Sequence, residues 1–138
     1  MPALIGALLA LAVALLGRVA GLDRDRAFYP VALLVIASYY ILFAVMGGDP
    51  GELRTELLIY APFAALAIAG FRTSLWLVAA GLAAHGVFDY FYFGLVGGRG
   101  VPSWWPAFCG TYDVVAAACL ALLLTVGRRA GASVSPPP

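Results

Sequence analysis

The chain has 138 residues, 64% of them hydrophobic and 11% charged, and a formal net charge of +1. Soluble domains carry about 25% charged residues, so the composition excludes a water-soluble globular domain and marks a multi-pass membrane protein whose first partner is the lipid bilayer. A net charge so close to zero argues against a nucleic-acid partner, and the length allows one compact bundle.

The first apolar run covers 3–19. A secretory signal peptide has basic residues ahead of its apolar core and a small-residue cleavage site behind it. Neither Lys nor Arg precedes this run, which favours a retained first transmembrane helix over a cleaved signal peptide. A charged hairpin ending at Arg26 follows. The second run, 28–46, carries Tyr39 and Tyr40 near its middle and stops at the turn formers Gly47 to Gly51. The third, 53–70, opens with Glu52, Arg54 and Glu56, since acidic residues are favoured at a helix start. A short connector with Arg72 leads to the fourth run, 75–96. A Gly- and Pro-rich connector ends in Trp104-Trp105, aromatic residues of the type that sits at the headgroup level. The fifth run, 105–126, stops before Arg128 and Arg129.

Runs of this length span a hydrocarbon core of about 30 Å. The fold class is therefore all-α, a transmembrane bundle of five helices forming a single domain over 1–129, with a disordered tail over 130–138. Placing the N-terminus outside puts Arg18, Arg24, Arg26, Arg72, Arg128 and Arg129 on the cytoplasmic side and leaves only Arg54 and Arg99 outside. That bias predicts an N-terminus outside and a C-terminus in the cytoplasm. All eight basic residues are Arg, which with the abundant Ala and Gly points to a GC-rich bacterium and hence its inner membrane.

The fourth run holds the chain's single histidine, His85, four residues before Asp89. At helical spacing, His85, Phe88, Asp89 and Tyr92 share one stripe. The fifth run repeats the pattern with Cys109, Tyr112 and Asp113, and the third with Glu52, Glu56 and Tyr60. An aspartate at a helix centre costs roughly 2.5–3.5 kcal/mol on the insertion scale, while each Leu, Ile, Val or Phe returns about 0.3–0.6 kcal/mol. Residues 75–96 have ten such apolar residues, so Asp89 consumes most of the insertion energy of its own helix and must face protein or water. The three stripes predict an outward-opening polar pocket between the third, fourth and fifth helices.

Intramembrane ionisable residues point to function. His85, Asp89 and Asp113 are the candidate catalytic residues, with histidine as the group suited to proton transfer near neutral pH. Glu56, Tyr60, Tyr92, Cys109 and Tyr112 are the candidate ligand-binding residues. The expected ligand is a small apolar or lipid-like molecule, and no cofactor is assigned. The alternatives are a structural or assembly protein whose polar cluster only fixes helix packing, and a metal-binding membrane protein using His85, Asp89, Cys109 and Asp113. Counting residues from the helix ends separates Cys109 from His85 by roughly 8–10 Å along the membrane normal, which weighs against nucleophilic catalysis and against a metal site. A permeation path needs polar residues in both halves of the bundle, and the inner half is nearly bare; a monomer offers no such path, leaving a homo-oligomer open. Cys109 and Cys119 stand about 15 Å apart along one helix, too far for a mutual disulfide.

The segments His85-Gly-Val-Phe-Asp89, Val101-Pro-Ser-Trp-Trp-Pro-Ala-Phe-Cys109 and Cys109-Gly-Thr-Tyr-Asp113 resemble a family of small bacterial integral membrane proteins of no known activity. The resemblance covers roughly 52–124 and implies four or five helices with His85, Asp89, Cys109 and Asp113 in one site. The chain departs from that family's pattern where Tyr92 and Phe93 replace a His-His pair and Tyr112 replaces a cysteine, a loss of groups that a metal would favour. A His and an acid at this spacing are also similar to those of sterol-isomerase-type membrane proteins, an analogy of spacing only.

Overall fold

The structure, a computed structural model, describes residues 1–132, with side chains through Gly127. Among these residues five long helices form the fold: α1 (Pro2–Ala20), α2 (Phe28–Gly47), α3 (Pro50–Arg72), α4 (Leu75–Leu95) and α5 (Trp105–Ala132). A 3₁₀ turn, Leu22–Arg24, joins α1 to α2, and no strand is present among the described residues. All five helices are long and apolar enough to cross a membrane.

The ends of the helices follow local chemistry. Gly48, in the left-handed conformation at φ 69°, closes α2, where any side chain would be strained. Asp49 then caps α3, its Oδ1 accepting from the Gly51 N–H at 2.8 Å and the Glu52 N–H at 3.2 Å. With Pro50 at the first position this cap starts α3 three residues before the predicted 53. Ser74 caps α4 through the Trp76 N–H. At its other end α5 runs on to Ala132, past the predicted stop at 126. Residues 130–132 of the predicted disordered tail belong to that helix, and 133–138 lie outside the described residues.

The helices α2 to α5 pack around α4, which touches α2, α3 and α5, while α1 lies on the flank against α5. Gly6 makes the α1–α5 approach close, since a Cβ there would collide with the Phe108 carbonyl oxygen. Outward faces are lined with large apolar side chains such as Leu8, Leu15, Leu58, Phe91 and Leu122, a surface that only a hydrocarbon solvent tolerates. The core is assembled from Leu33, Ala67, Val78, Leu82, Ala117 and Leu120. At one end of the bundle Arg26 donates to the carbonyls of Gly70, Phe71 and Thr73, tying the α1–α2 hairpin to the C-terminus of α3, where a cation is favoured. At the other end the Arg99 N–H donates to Glu52 Oε1 at 2.8 Å, fastening the α4–α5 connector to α3.

That connector folds partly into the bundle. Gly98, Val101 and Pro106 are buried, and Val101 packs with Tyr40 and Tyr92. Trp105 stacks edge-on against Phe43 and Tyr39. Folding the connector inward sets the start of α5 below the rim of the bundle, which governs the depth of everything that α5 carries.

Candidate functional site

The site grows from the contact between α4 and α5. These antiparallel helices meet at two glycines: a Cβ on Gly86 would lie 2.7 Å from the Gly110 carbonyl oxygen, and one on Gly110 would lie 2.9 Å from the Gly86 carbonyl oxygen. Small residues permit such an approach. The same register faces Gly86 with Asp113 and Gly110 with Asp89, so Asp113 comes level with His85, and Cys109 with Asp89. Two His/Cys-x-x-x-Asp patterns laid antiparallel thus place every polar member opposite one from the other helix.

Four side chains converge: one ligand atom each from His85, Asp89, Cys109 and Asp113 lie within 4.8 Å of one another. His85 Nδ1 is 2.6 Å from Asp113 Oδ2 and 3.8 Å from Asp89 Oδ2. Cys109 Sγ stands 4.0 Å from Asp113 Oδ2. The predicted separation of 8–10 Å between Cys109 and His85 is not found, because the inward fold of the connector starts α5 deeper than residue counting from the interface assumed. The geometric objection to joint action of Cys109 and His85 falls with it.

The centre is sealed, with His85 and Asp89 each 1% exposed and Asp113 0%. Tyr40, on α2, closes one side by donating its hydroxyl to Asp89 Oδ1 at 2.6 Å, and Phe63, on α3, packs edge-on over the His85 ring. Asp89 Oδ2 and Asp113 Oδ1 are nonetheless buried with no hydrogen-bond partner. Burying an unpaired polar atom is expensive, so the centre is closed yet incompletely satisfied. An imidazole between two carboxylates can hold a proton, and the mixed N, O and S donors are also of the kinds that bind a metal.

The other predicted residues distribute around this centre. Glu56 Oε1 accepts from the Tyr92 hydroxyl at 2.5 Å, forming a second buried pair whose Tyr92 ring stacks on Tyr40 with centroids 4.2 Å apart. Tyr60 is half-buried and makes no hydrogen bond to either group; Phe63 carries the α3 stripe onto His85 instead. Tyr112 lies on the far side of α5, where with Cys109 it lines an apolar groove of about 360 Å³ between α1, α2 and α5. This groove touches the centre at Cys109 alone, since His85, Asp89 and Asp113 do not line it. Tyr40 is the participant missing from the sequence-based set. Its signal was a hydroxyl at mid-span, but the apolar character of α2 all round hides which of Tyr39 and Tyr40 faces inward.

No protein-family model, no curated protein and no solved structure matches the chain.

Proposed function

We propose that this multi-pass membrane protein binds an apolar, lipid-like molecule drawn sideways from the bilayer, in a groove that touches the buried His/Asp/Cys centre at Cys109. The observation that supports this is the groove itself. It is lined by Leu9 and Val13 of α1, Ala32 and Ile36 of α2, and Phe108, Cys109 and Tyr112 of α5. It lies within the spans of three membrane-crossing helices, where the surrounding solvent is hydrocarbon. A chain lying there leaves its polar end beside the Tyr112 hydroxyl and the Cys109 thiol, one contact from Asp113.

A binding site would be partly water-accessible, and a cluster that served only to fix helix packing would be closed and fully paired. This one is closed, as packing alone would have it, but leaves two carboxylate oxygens unpaired, which supports a site. The arginine distribution sets the orientation of the same proposal: the end holding Arg18, Arg26 and Arg72 faces the cytoplasm of a bacterium, and the Glu52–Arg99 end faces outward. The likeness to the small bacterial membrane proteins belongs to the proposal too and rests on the spacing of the two motifs.

Native mass spectrometry of gently extracted protein tests the groove. The wild type should retain a lipid or isoprenoid, and Ala32→Phe, which fills the groove from α2, should lose it. An equal lipid load in both proteins, or none on the wild type, contradicts the proposal.

A further inference from the structure

We propose that His85, Asp89, Cys109 and Asp113 together bind one divalent transition-metal ion of the zinc class. The inference shares these residues with the groove reading but does not rest on it, because the ion can be tested with no lipid present.

Geometry is the first support. Zinc bonds N and O ligands at about 2.0–2.2 Å and S at about 2.3 Å, so the edges of a tetrahedral site are about 3.4 Å. In the structure the His85–Asp113 edge is 2.6 Å, the His85–Asp89 edge 3.8 Å and the Cys109–Asp113 edge 4.0 Å. The set straddles the required value. Four ligands define six edges: opening this hydrogen bond and closing the two longer edges by roughly half an ångström brings three of them to that value, and the other three are no longer than 4.8 Å, an adjustment within reach of side-chain torsions with both helices in place.

Unsatisfied valence is the second, independent support. Asp89 Oδ2 faces His85 Nδ1 from beyond hydrogen-bond distance, and neither it nor Asp113 Oδ1 has a partner at full hydrogen-bonding geometry. Both residues are at most 1% exposed, so neither oxygen is satisfied by bulk water. A dication supplies what these oxygens lack. Tyr40 holds the other oxygen of Asp89 at 2.6 Å, which leaves Oδ2 turned to the centre, the role that outer hydrogen bonds play around metal-bound carboxylates.

The donor set chooses the class of ion. Calcium and magnesium take oxygen ligands, whereas one thiolate, one imidazole and two carboxylates suit zinc and its divalent neighbours. Two carboxylates and the thiolate outweigh the dication by one negative charge, part of which the Tyr40 hydroxyl draws off through Asp89. On binding, the Cys109 thiol proton and the proton held between His85 and Asp113 leave to solvent.

Cobalt(II) is the probe. Metal-depleted protein in detergent should bind one cobalt per chain and show the intense visible bands of four-coordinate cobalt with a near-ultraviolet thiolate charge-transfer band; zinc should bleach both. Cys109→Ser should lose the charge-transfer band, and Asp113→Asn should weaken binding by at least about 10-fold. The groove-filling Ala32→Phe should bind cobalt as the wild type does, which separates failure of the groove reading from failure of the metal. Absence of stoichiometric binding to the wild type overturns the inference whatever the variants do. So does a cobalt spectrum without a thiolate band, or a band that persists in Cys109→Ser.

Discussion

Adding one methyl group at Gly86 should do more damage than its size suggests. A Cβ there would stand 2.7 Å from the Gly110 carbonyl oxygen and 2.9 Å from Val114 Cγ2, where ordinary contact begins at 3.4 Å. Val114 can turn away; the backbone carbonyl cannot. The shortfall of about 0.7 Å must be met by parting α4 from α5, which stretches the His85–Asp113 contact from 2.6 Å to about 3.3 Å, past the normal hydrogen-bond range. Overpacking of this kind costs about 1–3 kcal/mol, set against the up to ~1 kcal/mol that alanine gains over glycine within a helix. A net loss of about 0–2 kcal/mol against the wild type is expected, and a deficit of about 1–3 kcal/mol against a glycine-to-alanine change that meets no collision. Gly94→Ala is the matched control, since a Cβ at Gly94 meets nothing within 4 Å; the same chemical change there carries the helix gain without the collision and should leave stability unchanged or raise it by up to ~1 kcal/mol. Equilibrium unfolding in mixed micelles, followed by helical circular dichroism, measures both. Equal stability of the two variants would refute the claim that the glycine contact sets the geometry of the centre.

Asp89→Asn keeps an oxygen for the Tyr40 hydroxyl while removing a charge whose second oxygen is unpaired. Its thermal stability in detergent should equal or exceed the wild type by about 1 kcal/mol; a marked loss would favour a purely structural cluster. Among the described residues the Glu56 and Tyr92 side chains hydrogen-bond each other and no other side chain, so the double-mutant cycle of Glu56→Gln and Tyr92→Phe should show a coupling of about 1–3 kcal/mol in the same unfolding assay, and simple additivity would deny the bond. For orientation, single cysteines introduced at Thr55 and Thr73 into a chain lacking its native cysteines should be labelled by an impermeant maleimide in intact cells at 55 and not at 73; the reverse pattern would invert the bundle.

Much of the fold is legible in the sequence because a bilayer leaves little choice. Five apolar runs of sufficient length give five helices, but the predicted start of α3 at 53 falls three residues late because Asp49 caps the helix ahead of Pro50. The polar stripes were equally visible, since His85 with Asp89 and Cys109 with Asp113 repeat at helical spacing. Depth was not. Residue counting treated Trp105 as an interface residue, whereas the buried Val101 and the close seating of Gly100 against the Phe43 carbonyl draw the connector inward, and no local signal distinguishes a connector that lies on a bundle from one that enters it. Tyr60 shows the complementary limit: it sits at the right spacing after Glu56, but a stripe is wide enough that Phe63, one turn on, is the residue that meets His85.

The central claim, that a lipid-like chain lies in the groove against Cys109 and Tyr112, is tested most directly by photo-crosslinking in membranes. A lipid carrying a diazirine along its chain should label residues 105–112 and 32–39 saturably, be displaced by excess unlabelled lipid, and lose that labelling in Ala32→Phe. Labelling spread evenly over the outward-facing side chains such as Leu8, Leu58 and Phe91, with no saturation and no effect of Ala32→Phe, would contradict it.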